Sequence, residues 1–191
     1  MKFIISSHQY LQVNTDDLQI VQSNQDYSNW SKSINVTYID TKKNISLFFA
    51  NHKARSFCYF FIEYEETQKL LQNEKGLSKN IVNDLGFEWN QFFKGDSKSN
   101  KAFKYHWMCN DHTEIRPYYN SWLYNDHDGN IIFEITPFYP WHNVTAKTNP
   151  EKIPYKEWIK SYISIVKIII PKNKFKQWIT YAKKMKKEYN L

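Results

Sequence analysis

The stretch that decides the fold of this chain is Ser121–Trp141, which reads SWLYNDHDGNIIFEITPFYPW. Two runs rich in aromatic and β-branched residues, Tyr119 to Tyr124 and Asn130 to Ile135, flank the polar segment NDHDG. Asn and Asp side chains tolerate a left-handed backbone, and Gly129 can take a positive φ without a steric penalty. The pattern predicts a β-hairpin.

The residues that follow predict a short helix, a strand and a long helix. Pro154 fits the first turn of a helix over Tyr155 to Tyr162, because its missing N–H is not needed there. Ile163 to Ile170 is rich in β-branched residues and predicts a strand. A final helix is expected from about Pro171 to the end of the sequence.

Apolar side chains of the final helix recur at spacings of three and four, which places them on one face: Phe175, Trp178, Ile179, Ala182 and Met185. Lysines take the opposite side, at Lys172, Lys176, Lys183 and Lys187. The helix is therefore predicted to be amphipathic, with its apolar face packed on a sheet.

Upstream of the hairpin, Ile34 to Ile39 and Ile45 to Ala50 predict strands. Phe57 to Tyr64 (FCYFFIEY) is apolar at both sets of alternating positions, which predicts a central strand covered on both faces. Glu65 to Gln72 and Ser78 to Leu85 predict helices. The expected architecture is an α+β fold, with a mainly antiparallel sheet packed against helices, in a single domain over residues 1–191.

The net charge of +7 lies almost entirely in the last helix, where seven lysines and one glutamate fall between Lys172 and Glu188. A nucleic-acid-binding surface usually draws cations from several elements and favours arginine. The whole chain has two arginines, Arg55 and Arg116. A nucleic-acid partner is therefore not expected, and a basic nucleic-acid-binding module remains an alternative.

The sequence has no stretch that approaches the roughly 20 apolar residues of a membrane span, and its first residues lack the apolar core of a signal peptide. No membrane partner is expected. The two cysteines, Cys58 and Cys109, are far apart, and Cys58 lies in an aromatic run where a buried, reduced thiol is expected. These features favour a cytoplasmic protein, and the bias toward Lys, Asn and Ile indicates an AT-rich genome and a bacterial source.

Two groups of residues bear on metal chemistry. Cys109 and His112 have a metal-like spacing and His127 could add a ligand, but structural zinc usually has a second close pair. We therefore interpret Cys109 and His112 as part of a polar loop.

A metal-dependent nuclease would pair Asp126 or Asp128 with Glu134 and a lysine two residues on, where the chain has Thr136. We therefore expect Glu134 on a solvated strand face and keep a metal-dependent nuclease as an alternative. Without a nucleophile motif or a phosphate-binding loop, we predict no enzyme, no catalytic residue, no metal and no cofactor.

The C-terminal third has a sequence pattern that resembles bacterial immunity proteins of the contact-dependent growth inhibition type. The resemblance covers about 70 residues and rests on SWLYND (121–126), GNIIFEITPFYPW (129–141), IPYKEWIKSY (153–162), Ile170-Pro171 and QWI (177–179). It implies a cytoplasmic protein without catalytic residues that binds and neutralises a cognate toxin domain, the C-terminal part of a secreted exoprotein.

Toxin-binding residues in this family differ between allelic types, so the resemblance assigns none. The stiff proline-flanked segments favour Tyr118, Tyr119, Trp141 and His142 as aromatic anchors for the partner, with ordinary core packing as the other interpretation. Family members that face basic nuclease toxins tend to be acidic, whereas this chain has a pI near 9.2. The toxin surface is therefore expected to be acidic, or to lie away from the last helix.

Overall fold

The computed structural model describes residues 1–20, 28–62, 70–72, 85–91, 106–109, 119–140 and 153–191; for 45–52 and 106–109 the description covers the backbone alone. Two four-stranded antiparallel sheets organise these residues. The fold is therefore α+β with antiparallel sheets, as the sequence predicts.

The first sheet runs in chain order through β1 (Lys2–Ile4), β2 (Gln9–Asn14), β3 (Ser33–Asp40) and β4 (Ile45–Lys53). In β3, Ile34, Val36 and Tyr38 are buried at alternate positions, as expected for a strand with one face on a core. This confirms the two predicted strands, and β4 extends three residues beyond the prediction.

The second sheet also runs in chain order, through β5 (His106–Cys109), β6 (Tyr119–Asn125), β7 (Ile131–Pro137) and β8 (Val166–Ile170). β6 and β7 form the predicted hairpin, in which Ser121 pairs with Ile135 and Tyr124 with Ile132. Gly129 in its turn has φ 79°, the conformation that favours glycine. β8 is shorter than predicted and forms the last strand of the sheet.

Helices cover these sheets. α1 (Ala54–Ile62) follows β4 directly, α2 (Leu85–Gln91) precedes the second sheet, and α3 (Tyr155–Trp158) continues as a 3₁₀ turn, Ile159–Ser161. α4 (Lys172–Tyr189) ends the chain and buries Phe175, Trp178, Ala182 and Met185, four of the five residues assigned to its apolar face. Ile179 is half-buried against the same core.

The predicted central strand over Phe57 to Tyr64 is wrong, because Ala54–Ile62 forms α1. Phe57, Cys58 and Phe61 are buried together with Ala54, a spacing that fits one face of a helix. A continuous apolar run is compatible both with a strand buried on both faces and with a helix that has a wide apolar face. Here tertiary packing favours the helix.

Cys58 is buried, as predicted, and burial raises the pKa of its thiol to about 12. The predicted helices over Glu65 to Gln72 and Ser78 to Leu85 lie mostly outside the described residues; 70–72 are helical, and Leu85 begins α2.

One large core joins both sheets to α1 and α4. At its centre the Phe3 ring lies 5.3 Å from the Phe57 ring and 5.8 Å from that of Trp178. The Trp178 indole N–H donates to the carbonyl of Ile4 at 2.8 Å, which fastens α4 to β1. Tyr38 and Phe133, with ring centroids 6.3 Å apart, join the two sheets.

The other face of the second sheet carries a smaller core beneath α2: Leu85, Trp89, Trp122, Tyr124, Ile132 and Phe138. α2 lies so close to β7 that a Cβ on Gly86 would collide with the side chain of Thr136. β6 and β7 are therefore buried on both faces. Among the described residues, no helix is long and apolar enough to cross a membrane.

Candidate protein-binding surface

Of the four anchors predicted from the sequence, Tyr118, Trp141 and His142 lie outside the described residues. Tyr119 begins β6 and packs, half-buried, against the large core. Burial raises the pKa of its hydroxyl. At this position, core packing accounts for the side chain that is seen.

Exposed apolar side chains concentrate elsewhere. Five large hydrophobic residues stand exposed among the described parts of the chain, and all are isoleucines. Four of them lie within the 17 positions from Ile153 to Ile169, and the fifth is Ile20. Scattered exposed apolar residues are normal, but a local concentration is typical of an interaction site.

The densest part of this group is the segment that leads into and through β8. Exposure alternates along it, with Ile163 74%, Ile165 39% and Ile169 57% exposed, and Lys167 exposed between the last two. We call Ile163, Ile165, Lys167 and Ile169 the isoleucine strip. The alternate positions, Val166, Ile168 and Ile170, turn toward the large core.

Pairing with β7 holds the strip in place. Ile165 donates its N–H to the carbonyl of Ile135 at 2.9 Å, and Ile169 pairs with Ile132, which is 3% exposed. The small core of the second sheet therefore ends beside β8. Ile169 continues the apolar surface of this core into a region exposed to solvent. β8 has a paired neighbour on one side alone in the described sheet.

An aromatic cluster supports the segment that leads to the strip. Tyr139 packs against Tyr155 and Trp158, with ring centroids 5.4 and 5.3 Å away, and its hydroxyl donates to the carbonyl of Ile153 at 3.0 Å. Tyr162 lies between Trp158 and Phe87, at 6.0 and 5.7 Å. Because Phe87 belongs to α2, these contacts fix Ile163 relative to the small core.

The charge around the strip is positive. Within Ile153–Ile170 the charged residues are Lys156, Glu157, Lys160 and Lys167, a net charge of +2, and Lys172 follows at the start of α4. These lysines are exposed. The surface is thus apolar along one line with cations beside it, which suits an apolar partner surface with acidic neighbours.

A carboxylate beside the strip is buried, and the prediction that it lies on a solvated face is wrong. Glu134 was expected on a solvated face, but it is 0% exposed. It faces α2's side of the sheet, where the Tyr124 hydroxyl donates to its Oε2 at 2.9 Å and the Ser164 hydroxyl to its Oε1 at 3.0 Å. Lys167 Nζ lies 4.0 Å from Oε1 and is half exposed.

These contacts give Glu134 a positioning role. A buried carboxylate is costly unless it is hydrogen-bonded, and both of its oxygens accept a hydrogen bond here. Ser164 lies between Ile163 and Ile165, so its bond to Glu134 ties the strip to β7. A second side-chain hydrogen bond lies close to this one: the Trp122 indole N–H donates to the Thr136 hydroxyl at 2.8 Å.

The acids of the nuclease alternative serve different purposes. Asp126 Oδ1 accepts the backbone N–H groups of Asp128 and Asn130 at 3.0 and 2.8 Å, and Oδ2 accepts the Asn130 side-chain amide at 3.0 Å. Although burial opposes it, this set of hydrogen bonds lowers the pKa of Asp126. Asp128 and His127 are exposed on the turn.

No group of three His, Cys, Asp or Glu side chains that could hold a metal ion occurs among the described residues. His112 lies outside them, and Cys109 is described by its backbone in β5. The geometry of the hairpin therefore explains Asp126 as a turn-stabilising residue and Glu134 as an internal tie.

Sequence reasoning missed the isoleucine strip, although a signal for it exists. The run Ile163–Ile170 predicts a strand, of which Val166–Ile170 forms β8, but composition alone does not separate its exposed isoleucines from its buried ones. Lys167 interrupts the run, and a lysine in a strand marks the face that reaches solvent. Positions 163, 165 and 169 share its parity and are the exposed ones.

Comparison with known proteins adds no relative: no family model, curated protein or solved structure matches the chain.

Proposed function

We propose that this protein is an immunity protein that binds and neutralises the toxin domain of a contact-dependent growth inhibition system, and that the isoleucine strip forms part of the toxin-binding surface. The resemblance over the C-terminal third motivates the class. The observation that carries the surface is that four of the five exposed isoleucines of the described residues lie within this third.

Burial of apolar side chains supplies most of the free energy of protein association, and flanking charges select the partner. Three exposed isoleucines along one extended segment offer the apolar centre, and Lys156, Lys160 and Lys167 offer a basic margin. The complementary toxin surface carries apolar residues bordered by Asp and Glu. A stable complex of this kind buries about 1,200–2,000 Å² in total.

In this proposal the protein acts without catalysis, in the cytoplasm of the cell that makes it, by occluding the toxin. The rigid mounting of the strip favours such a role. Ile163 is held through Tyr162 and Ser164, and Ile169 through the β7 ladder, so little conformational freedom is lost when a partner covers them.

The decisive experiment co-expresses the protein with a toxin domain encoded by a neighbouring gene. We expect the two chains to co-purify and the producing cells to survive toxin delivery. Absence of both co-purification and protection would refute the immunity proposal.

A matched pair of variants then tests the surface. Ile163 and Ile20 are almost equally exposed, at 74% and 70%, and Ile20 lies outside the strip. Ile163→Asp, alone or with Ile169→Asp, should weaken toxin binding by about 30-fold or more, the effect of losing a hot spot of about 2 kcal/mol. Ile20→Asp should leave binding unchanged. Equal binding by all three variants would exclude the strip from the interface while leaving the immunity function itself standing.

A further inference from the structure

Lys167 differs from the other lysines of the proposed surface because it lies within the isoleucine strip. It precedes Ile169 by two residues in β8, and side chains two positions apart in a strand share a face, about 7 Å from each other. Ile165, also exposed, stands just before the strand begins. The side chain of Lys167 is itself 51% exposed. A partner that covers the strip therefore also covers this ammonium group.

On the protein side, Lys167 faces the buried carboxylate of Glu134. The two residues are directly paired in the β7–β8 ladder, yet Nζ lies 4.0 Å from Oε1, which is beyond hydrogen-bond distance. The two oxygens of Glu134 accept hydrogen bonds from the hydroxyls of Tyr124 and Ser164, at 2.9 and 3.0 Å. Glu134 therefore attracts Lys167 toward the sheet without fixing its three N–H donors, so the ammonium can also donate to a second carboxylate.

The surroundings of Lys167 change when a partner covers the strip. A purely apolar partner would take water away from the ammonium without replacing the lost hydrogen bonds, which is unfavourable. A carboxylate placed opposite Lys167 would replace them, and the attraction would be stronger in a dry interface than at an exposed surface. The same lysine thus disfavours one class of partner and favours another, which is how a binding surface gains specificity.

We propose that Lys167 determines the specificity of the toxin-binding surface: it accepts a toxin segment that carries a carboxylate between two apolar side chains, and it rejects a purely apolar one. This inference rests on the proposed function. In the complex the apolar side chains of the toxin pack on Ile165 and Ile169, and the carboxylate accepts a hydrogen bond from Lys167. A lysine in an outer strand also discourages aggregation through that strand, but such a role requires no carboxylate on a partner.

The test measures binding of the toxin domain to Lys167→Met by calorimetry. Methionine keeps an unbranched side chain and removes the charge. We expect this variant to bind the toxin at least about tenfold more weakly, because a hydrogen bond between two charged groups is lost. Lys160→Met is the matched control, since Lys160 is exposed on the 3₁₀ turn, outside the strip. It should weaken binding by less than about threefold, as expected for a lysine at the margin of the interface.

Exchange of charge between the two proteins tests the carboxylate itself. Lys167→Glu should weaken toxin binding more than Lys167→Met does, because two carboxylates would then face each other. Among toxin variants in which single Asp or Glu residues are replaced by lysine, one should bind Lys167→Glu at least about tenfold more tightly than the unchanged toxin does. If no toxin variant restores binding to Lys167→Glu, the proposed carboxylate contact is refuted.

Other outcomes separate this inference from the proposed function. Unchanged or tighter toxin binding by Lys167→Met, with Ile163→Asp still weakening it, would overturn the role of Lys167 and leave the proposed surface standing. Absence of toxin binding by the unchanged protein would overturn both. Because Lys167 and Glu134 form a half-exposed pair at 4.0 Å, the urea midpoint of Lys167→Met should stay close to that of the unchanged protein. A clear fall of the midpoint would assign Lys167 a structural role and overturn the inference.

Discussion

The two sheets of this protein use the same turn chemistry and differ in what covers them. In the first sheet, Asp40 accepts the N–H groups of Lys42 and Lys43 at 3.1 Å, and Asn44 takes φ 54° before β4 begins. In the second, Asp126 and Gly129 do the same between β6 and β7. Both hairpins are therefore specified locally, by an aspartate and a left-handed residue.

The two sheets differ in how many of their faces are buried. β3 alternates between buried and open positions, whereas six of the seven residues of β7 are buried. Covering the second face of β7 with α2 leaves no solvated side for its polar residues. Glu134 and Thr136 are consequently satisfied by Tyr124, Ser164 and Trp122 within the protein. A doubly covered strand can thus be partly polar.

The largest effect is expected from removing the side chain that joins the two sheets. Phe133 is fully buried between them, with Tyr38 as a ring neighbour. Phe133→Ala should lower the free energy of unfolding by about 3–5 kcal/mol, because it removes buried apolar surface and leaves a cavity. Urea denaturation monitored by tryptophan fluorescence measures it. A loss below about 1 kcal/mol would mean that the sheets do not share this core.

The polar face of β7 is tested by Tyr124→Phe, which removes the donor to Glu134 Oε2 and keeps the ring. The free energy of unfolding should fall by about 1–3 kcal/mol, because a buried carboxylate loses one of its hydrogen-bond donors. Tyr38→Phe in the first sheet is the control, since its hydroxyl lies 3.4 Å from Asp40 Oδ2, which Gln9 also serves at 3.0 Å. Equal losses of unfolding free energy in Tyr124→Phe and Tyr38→Phe would contradict the proposed difference between the two sheets.

The shared turn chemistry predicts a pH dependence. The ordinary pKa of Asp40 and Asp126 is 3.8, and although burial opposes it, hydrogen bonds lower the folded-state pKa of both. The stability that each contributes is therefore present above pH 3.8 and is lost as the pH falls through the lower folded value.

Urea midpoints measured at about pH 6 and about pH 3 should differ less in Asp40→Asn and in Asp126→Asn than in the unchanged protein. A pH dependence that neither substitution reduces would show that other carboxylates govern acid unfolding.

The smallest effect on stability is expected in the isoleucine strip. Ile169→Ser changes a side chain that is 57% exposed, so the free energy of unfolding should move by no more than about 0.5 kcal/mol. Ile132→Ser, at the paired position in β7, is the buried comparison and should cost several times more. Similar losses at the two positions would mean that Ile169 belongs to the core and not to a binding surface.

The hairpin, the start of α4 and the buried face of α4 were predictable because local signals decide them. Turn residues fix the register of β6 and β7, and the three-and-four spacing from Phe175 to Met185 has no competing interpretation. By contrast, Phe57 to Tyr64 was predicted as a strand because an all-apolar run carries no period. Its helical state depends on packing with Phe3 and α4, which are distant in sequence.

The candidate surface was predictable in its region and not in its residues. The anchors chosen from the sequence were aromatic, and the one that the structure describes, Tyr119, packs against the core. The exposed positions are isoleucines that periodicity alone assigns to a strand interior. Whether a face of β8 is covered depends on how far α2 and the 3₁₀ turn reach across the sheet, which no local pattern encodes.

The sequence by itself determined the α+β class, the β6–β7 hairpin and the basic last helix, because these depend on residues within a few positions of one another. The tertiary structure alone decided that Glu134 lies inside, that Phe57 and Phe61 sit on a helix, and that three isoleucines near β8 face solvent. Whether a side chain is buried depends on neighbours that are distant in sequence. The same side chain can therefore lie in the core or on the surface, depending on which of these neighbours pack against it.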